Sequence, residues 1–232
     1  MALEKIHASM VEQLGDSFNV QQKDLGEATL TASNADVYTV PADTRTIVWS
    51  ILVSNTDSSS RDVTCTLSDA TAGPTEYKLA HEVPIGVGSA LELLKKPKVL
   101  ETGDKIRALG SAANVLDMTI VGVELSADTE HFNAGVNLTG TGLTTLFTGT
   151  GSGQMIESLL VANDGTVSAN ATATWTTNSG GLLIDWVKDL SIPANSTVEI
   201  LESPKAIASG DTIQVQSSVA NTLDWVLAGR DK

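Results

Sequence analysis

Arg45-Thr-Ile-Val-Trp-Ser-Ile-Leu-Val-Ser-Asn55 occurs a second time, altered, as Gly153-Gln-Met-Ile-Glu-Ser-Leu-Leu-Val-Ala-Asn163. The two copies lie 108 positions apart, so that Ser50 corresponds to Ser158. Farther along the chain the offset settles at 107, where Gly103-Asp104 corresponds to Gly210-Asp211. The offset changes between periodic runs, where loops accept insertions at low cost. Self-similarity at a fixed spacing marks a repeated structural unit, and the sequence therefore predicts two copies of one domain.

The duplication divides the chain into four parts. We expect an N-terminal arm over residues 1–24, a first domain over 25–125, a short polar linker over 126–131 and a second domain over 132–232. Two units of about 100 residues have an ordinary domain size and can each bury a core.

Each unit has the alternation of large apolar and smaller residues that is typical of half-buried strands. In the opening stretch the predicted inward set is Ile47, Trp49, Ile51 and Val53, and the outward set is Thr46, Val48, Ser50 and Leu52. The closing strands repeat the pattern with Leu116, Met118 and Ile120 in the first unit and with Leu223, Trp225 and Leu227 in the second. About eight such strands per unit predict an all-β chain of two tandem antiparallel β-sandwich domains, jelly-roll-like in type.

The N-terminal arm lies outside the repeat. Leu3, Ile6, Met10 and Leu14 recur at steps of three and four, which predicts a short helix with one apolar stripe. A helix this short is marginal by itself in water. It therefore packs on its own domain or docks on another subunit, and we favour docking, with these four residues as an assembly anchor.

Composition limits the partners. Lys and Arg total 14 against 28 Asp and Glu, a formal charge of −14. This charge disfavours nucleic acid and anionic membrane, because both attract cationic surfaces. No apolar run approaches the roughly 20 residues of a membrane-spanning helix, and we expect a soluble chain.

Residues with reactive or metal-binding side chains are few and scattered. The single Cys65 excludes an internal disulfide, and we expect it to be buried as a small hydrophobe. The three histidines lack the spacing of a zinc site; they are His7, His81 and His131. Four loop residues carry oxygen ligands but lack the spacing of a calcium loop; they are Asp57, Asp62, Asn163 and Asp164.

The glycine-rich run Gly140–Gly153 ends, at Gly149–Gly153, before a strand rather than a helix, which favours a hairpin turn over a phosphate-binding loop. We predict no enzyme, no cofactor, and no catalytic, cofactor-binding or metal-binding residue.

Aromatic residues leave one alternative open. Carbohydrate-binding sandwiches stack exposed rings on sugars, whereas Trp49, Trp175 and Trp225 fall on the predicted inward faces, and Trp186 fits either position. Core packing is the expected role for most of these rings, and a sugar platform is the alternative.

The strand and turn pattern also resembles a known class. The segments Val40-Pro41-Ala42, Arg45–Asn55, Ile192–Leu201, Gly210–Ile213 and Ser218–Asp224 are similar to small β-sandwich modules in structural proteins of tailed-bacteriophage virions. Met1–Val11 looks like the virion-anchoring start of phage fibre and tail-accessory proteins. The second unit departs from this pattern, with Glu157 at the position of Trp49.

The resemblance implies a non-enzymatic exterior accessory protein of a virion, either tail, neck or fibre-associated or a capsid decoration. Its implied partners are other virion structural proteins and further copies of itself, with assembly in the host cytoplasm. The alternative function is a carbohydrate-binding module that contacts host glycans.

Overall fold

A computed structural model describes residues 23–71, 75–127, 130–179 and 181–231. The predicted arm helix, with Leu3, Ile6, Met10 and Leu14, lies outside these residues. Within them, eighteen strands form four antiparallel sheets and no helix, which confirms the all-β prediction. Accordingly, these ranges contain no helix with the length and hydropathy to cross a membrane.

Nine strands form the first half of the molecule. They are β1 (Lys23–Thr29), β2 (Ala35–Thr39), β3 (Thr44–Asn55), β4 (Arg61–Asp69), β5 (Thr75–Ile85), β6 (Ala90–Glu92), β7 (Lys98–Leu100), β8 (Lys105–Gly110) and β9 (Leu116–Ser126). Lys23 and Asp24, which the sequence analysis placed in the arm, belong to β1.

Nine further strands repeat this arrangement in the second half. They are β10 (His131–Asn137), β11 (Thr144–Thr148), β12 (Gln154–Asn163), β13 (Ala169–Thr176), β14 (Leu183–Ile192), β15 (Ser196–Glu199), β16 (Lys205–Ile207), β17 (Thr212–Ser217) and β18 (Leu223–Asp231).

Both halves have the jelly-roll topology. In the first half one sheet has the order β1-β9-β3-β6 and the other β2-β8-β4-β5, so that consecutive strands alternate between the two sheets at the start of the chain. The second half has the orders β10-β18-β12-β15 and β11-β17-β13-β14, which are the same orders with nine added to each strand number. The predicted count of about eight strands per half becomes nine because β6 and β7 are separate short partners of β3.

The central strand β3 does not keep one inward face. Its pairing with β9 shifts register between Val48 and Ser50, so Trp49 is an extra residue in the ladder. Such a bulge reverses which alternate residues face the core. Thr46 and Val48 are consequently buried before it, and Ile51 after it. The prediction that Ile47 and Trp49 share the inward face with Ile51 and Val53 is therefore wrong. The second half has the equivalent shift between Ile156 and Ser158, around Glu157.

The turn that enters each central strand requires a left-handed backbone. Asp43 has φ 54° before β3, and Gly151, its equivalent, has φ 59° before β12. β11 pairs with β17 rather than with β12. Gly149–Gly153 is therefore a crossover between the two sheets, and the predicted hairpin is wrong.

The closing strands carry the predicted cores. The residues Leu116, Met118, Ile120, Leu223, Trp225 and Leu227 are at most 1% exposed, which confirms the alternation predicted for β9 and β18. Cys65 is also buried, as predicted, and burial raises the pKa of its thiol to about 12. Trp175 and Trp186 are half-buried and pack against the second core.

Replacement of Trp225 tests this core. Trp225→Ala should lower the free energy of unfolding by roughly 3–5 kcal/mol, because it removes a large buried ring. Trp225→Phe should cost much less, because the buried Trp225 Nε1–H has no hydrogen-bond partner among the described residues and its loss leaves none of their acceptors unpaired. Chemical denaturation measures both. An unchanged transition for Trp225→Ala would mean that the ring is exposed.

Candidate functional site

The two sandwiches meet at one continuous junction. Strands β5 and β7 of the first half pack on the outer face of the β10-β18-β12-β15 sheet of the second half. Leu160 and Val226 point outward from that sheet, yet each is 2% exposed because both pack into the core of the first half. The junction is therefore a buried surface rather than a loose contact between neighbours.

A buried charge lies at the centre of the junction. Lys98 on β7 is 0% exposed, and its Nζ contacts Ser158 Oγ and donates to Glu199 Oε2 at 2.9 Å. Ser158 Oγ donates to the same carboxylate oxygen at 2.9 Å. Burial lowers the pKa of Lys98, while the charge of Glu199 acts in the opposite direction. Two charges removed from water need close partners and further hydrogen bonds, and this group supplies both.

The other oxygen of the Glu199 carboxylate is held by a hydrogen bond from the backbone. Glu199 Oε1 accepts a hydrogen bond from the Leu159 amide at 2.7 Å. That amide follows the bulge at Glu157, where β12 leaves the regular ladder. On its other edge, β12 pairs with β16 up to Ile156 and with β15 from Leu160, so the Leu159 amide lies between these two partners and is free to orient the carboxylate toward Lys98.

A second buried carboxylate lies on β18. Asp224 Oδ2 accepts a hydrogen bond from the Lys78 amide at 2.9 Å, across the junction. Burial raises the pKa of Asp224 from its ordinary value of 3.8 to about 7. The carboxyl group is thus held in an environment that disfavours its ionised form.

Further side-chain hydrogen bonds complete the rim of the junction. Asn133 Nδ2 donates to Val99 O at 2.9 Å and to Asp104 Oδ2 at 3.1 Å. On another side, His81 Nδ1 lies 2.8 Å from Asn195 Oδ1, which places His81 at the rim of the junction. These bonds define one relative position of the two halves, because each has a directional donor and acceptor.

One glycine sets the distance between the sheets. A Cβ atom added at Gly135 on β10 would lie 2.5 Å from ring carbons of Tyr77 on β5. Tyr77 is 4% exposed and has little space into which it could move. The absence of a side chain at Gly135 therefore lets the two halves approach.

The residues singled out from the sequence lie elsewhere. The proposed anchor residues Leu3, Ile6, Met10 and Leu14 are outside the described part of the chain. Of the calcium candidates, Asp57 is paired with Arg61, and Asn163 Nδ2 donates to carbonyl groups of its own loop region. Among the described residues, no group of three or more His, Cys, Asp or Glu side chains could hold a metal ion.

Sequence reasoning missed Lys98, Ser158 and Glu199. One signal was present, because Lys98 begins the run Lys98-Val99-Leu100, all three of which are buried. A lysine in a short buried strand requires a partner, but its partners lie 60 and 101 positions away along the chain. Their proximity depends on how the two sandwiches pack.

Comparisons with known proteins give weak structural likenesses. No protein-family model matches the chain, and no curated protein matches it. The STIV MCP, an archaeal virus capsid protein, has a TM-score of 0.30 and 9% identity, covering 90% of this chain and 96% of that one. The tandem CBM22 domains of Paenibacillus barcinonensis Xyn10C have a TM-score of 0.24 and 10% identity, covering 88% and 85%. Infectious bursal disease virus, Gt strain, has a TM-score of 0.26 and 10% identity, covering 90% and 72%. We draw no conclusion about function from likenesses at this level.

Replacement of Lys98 tests the buried charge. Lys98→Met should lower the free energy of unfolding by roughly 3–5 kcal/mol, because it leaves Glu199 buried without its cation. Lys205→Met is the matched control, since Lys205 is the repeat equivalent of Lys98 but bonds only an exposed Ser203 among the described residues. The control should change stability by less than about 0.5 kcal/mol. Equal effects of the two replacements would contradict the central role of Lys98.

The pH dependence of stability tests Asp224. A carboxyl group with a raised pKa in the folded state stabilises the fold most below pH 3.8 and loses that contribution as the pH rises to about 7. Asp224→Asn keeps an acceptor for the Lys78 amide and does not ionise. Relative to wild type, it should therefore gain roughly 2–4 kcal/mol of stability between pH 4 and pH 8. Denaturation at both pH values measures the gain, and a constant difference would show that Asp224 is freely ionised.

Proposed function

We propose that the protein is a non-enzymatic structural component of a tailed-phage virion, an exterior accessory protein that acts through protein–protein assembly. The observation that carries this proposal is the junction, where Lys98 and Glu199 lock two jelly rolls into one block. A block of fixed shape presents its outer sheet faces and edges in constant positions. This suits a subunit that must fit neighbours on a particle.

The resemblance of the strand and turn segments to sandwich modules of phage virions supports the same function. The jelly roll itself also occurs in viral capsid and lectin domains, so the fold agrees with the proposal but does not select it. The division into an arm over 1–24, domains over 25–125 and 132–232 and a linker over 126–131 is part of the proposal.

The N-terminal arm is the proposed anchor. The arm precedes β1, which is an edge strand of its sheet among the described residues. Burial of four side chains such as Leu3, Ile6, Met10 and Leu14 against a partner would contribute on the order of 6–10 kcal/mol before ordering costs. The conformational entropy lost on binding removes much of this, so several copies acting together would give firm attachment.

The charge of the chain supports protein partners. A formal charge of −14 opposes binding to nucleic acid and to anionic membrane, which require cationic surfaces. We propose other virion structural proteins and further copies of this chain as partners, with the finished particle as its location after assembly in the host cytoplasm.

A carbohydrate-binding role is the second candidate, and Trp49 favours it. Trp49 lies at the bulge of β3 and is half-buried rather than part of either core. An aromatic ring partly open to solvent on a sheet face is the kind of group that stacks on a sugar. Binding of the purified chain to host glycans, with loss in Trp49→Ala, would favour this candidate over assembly.

Deletion of residues 1–20 tests the proposed function. The shortened chain should keep the unfolding midpoint of the full chain, because the arm lies outside the repeat, and should fail to enter particles. Particle incorporation is measured by antibody labelling of purified virions under the electron microscope. The full chain, expressed in parallel, is the control and should label the exterior of every particle.

Two results would contradict the proposal. Absence of the full chain from purified particles would remove the virion role itself. A lower unfolding midpoint with normal incorporation would show that the arm belongs to the first core and that another surface makes the attachment.

A further inference from the structure

The first sandwich carries a second copy of the site that binds Lys98. Ser50 Oγ donates to Glu92 Oε2 at 2.5 Å, and the Ile51 amide donates to Glu92 Oε1 at 2.8 Å. These residues are the repeat equivalents of Ser158, Glu199 and Leu159, and they make the same bonds. Within the described residues, however, no ammonium group reaches Glu92, which is exposed. The first sandwich thus has the acceptor side of such a junction, but no described lysine is bound to it.

The second sandwich carries the matching donor half. Lys205 on β16 is the equivalent of Lys98, and its Nζ donates to Ser203 Oγ at 2.8 Å in an exposed position. None of the described carboxylates forms an ion pair with it, whereas Lys98 is fully buried against Glu199. Equivalent lysines therefore differ in whether a sandwich is packed against them.

Apolar residues follow the same division. Leu160 is 2% exposed at the junction, whereas its equivalent Leu52, beside Glu92 in the first sheet, is 43% exposed. Strand β14 is the equivalent of β5, which forms the other side of the junction. At its start Leu182 and Leu183 are 60% and 53% exposed. Large apolar side chains are thus left open on both unused faces, which is unusual unless a partner covers them.

We propose that a second copy of the chain covers these faces and repeats the internal junction between molecules. Lys205 and the β14 edge of one copy would dock on Leu52, Ser50 and Glu92 of the next. This inference rests on the proposed assembly function and deepens it by naming the partner and the surfaces. Lys205 and Glu92 have opposite charges, and the contact uses the repeat equivalents of the residues that form the internal junction, with Glu27 at the position of Gly135 and the smaller Ile184 at that of Tyr77.

The contact is head-to-tail, because each copy offers one donor face and one different acceptor face. Such a heterologous contact closes into a ring when the rotation allows it and otherwise extends as a filament. It should be weaker than the internal junction. Leu25 stands at the position of Asn133 and Gly88 at that of Asn195, so those rim hydrogen bonds are missing. Asp185, at the position of Lys78, also adds a like charge opposite Asp117.

Two single variants of the full chain test the proposal by complementation. Lys205→Glu places a carboxylate opposite Glu92 and disables the donor face. Leu52→Lys places a cation beside Glu92 and disables the acceptor face. Each should raise the dissociation constant for self-association at least about tenfold, because like charges face each other in the contact. Sedimentation velocity over concentrations from roughly 1 µM to 1 mM measures this, since weak interfaces dissociate in that range.

An equimolar mixture of the two variants separates a head-to-tail contact from a symmetric one. The intact donor face of Leu52→Lys can bind the intact acceptor face of Lys205→Glu, so the mixture should form a dimer that grows no further. Lys105→Glu is the matched control: it makes the same charge change on β8, away from both faces, and should associate as wild type does. Unfolding midpoints close to that of wild type show that the variants are folded.

Three results would overturn the inference: a wild-type chain that is monomeric up to 1 mM, variants that associate as wild type does, or a mixture that stays monomeric. Incorporation of the same variants into virions keeps the two proposals apart. Variants that still enter particles while wild type is monomeric would refute self-docking and leave the virion role standing. Self-association by a chain that is absent from particles would refute the virion role and leave self-docking standing.

Discussion

Lys98 is a charge that the packing of the two sandwiches against each other buries. Its described partners, Ser158 and Glu199, both belong to the second sandwich. Removing an ammonium group from water costs several kcal/mol unless a counter-charge is close, and the second sandwich supplies both the cover and the counter-charge. Leu160 and Val226 add apolar area around the pair because they complete the core of the first half. The chain is a tandem repeat in sequence and one block in packing.

The duplication explains the origin of the Lys98–Glu199 junction, because both halves contain the same glutamate site. In both halves a glutamate accepts a hydrogen bond from an amide of the central strand. In both halves an asparagine also donates to the last carbonyl group of β5 or its equivalent β14. This polar frame stabilises each jelly roll separately. In the second half this glutamate is Glu199, which also accepts a hydrogen bond from Lys98. The side chains around this pair are buried. In the first half Leu52 and Glu92 remain open. The same arrangement therefore occurs twice: the copy in the second half binds Lys98 inside the molecule, and the copy in the first half is exposed on its surface.

The sequence was sufficient for the fold class and for much of the core. Leu116, Met118 and Ile120, and their equivalents through Trp225, were identified from alternation because β9 and β18 keep a regular register at those positions. Alternation failed at Trp49, since one extra residue in a strand reverses which alternate side chains face the core. The apolar pattern of the sequence does not show where such a residue is inserted. It also could not find the Lys98 site, whose members come together only when two complete domains pack. Local periodicity reports on a strand and its sheet, whereas the junction depends on contacts between units.

The junction should make the two sandwiches unfold as one cooperative unit, and differential scanning calorimetry of the full chain measures this directly. A single transition in which the calorimetric and van't Hoff enthalpies agree is the predicted result, because unfolding of either half breaks the Lys98–Glu199 pair and exposes the apolar residues of the junction. Two transitions, or a calorimetric enthalpy about twice the van't Hoff value, would show that the halves melt independently, and would contradict the account.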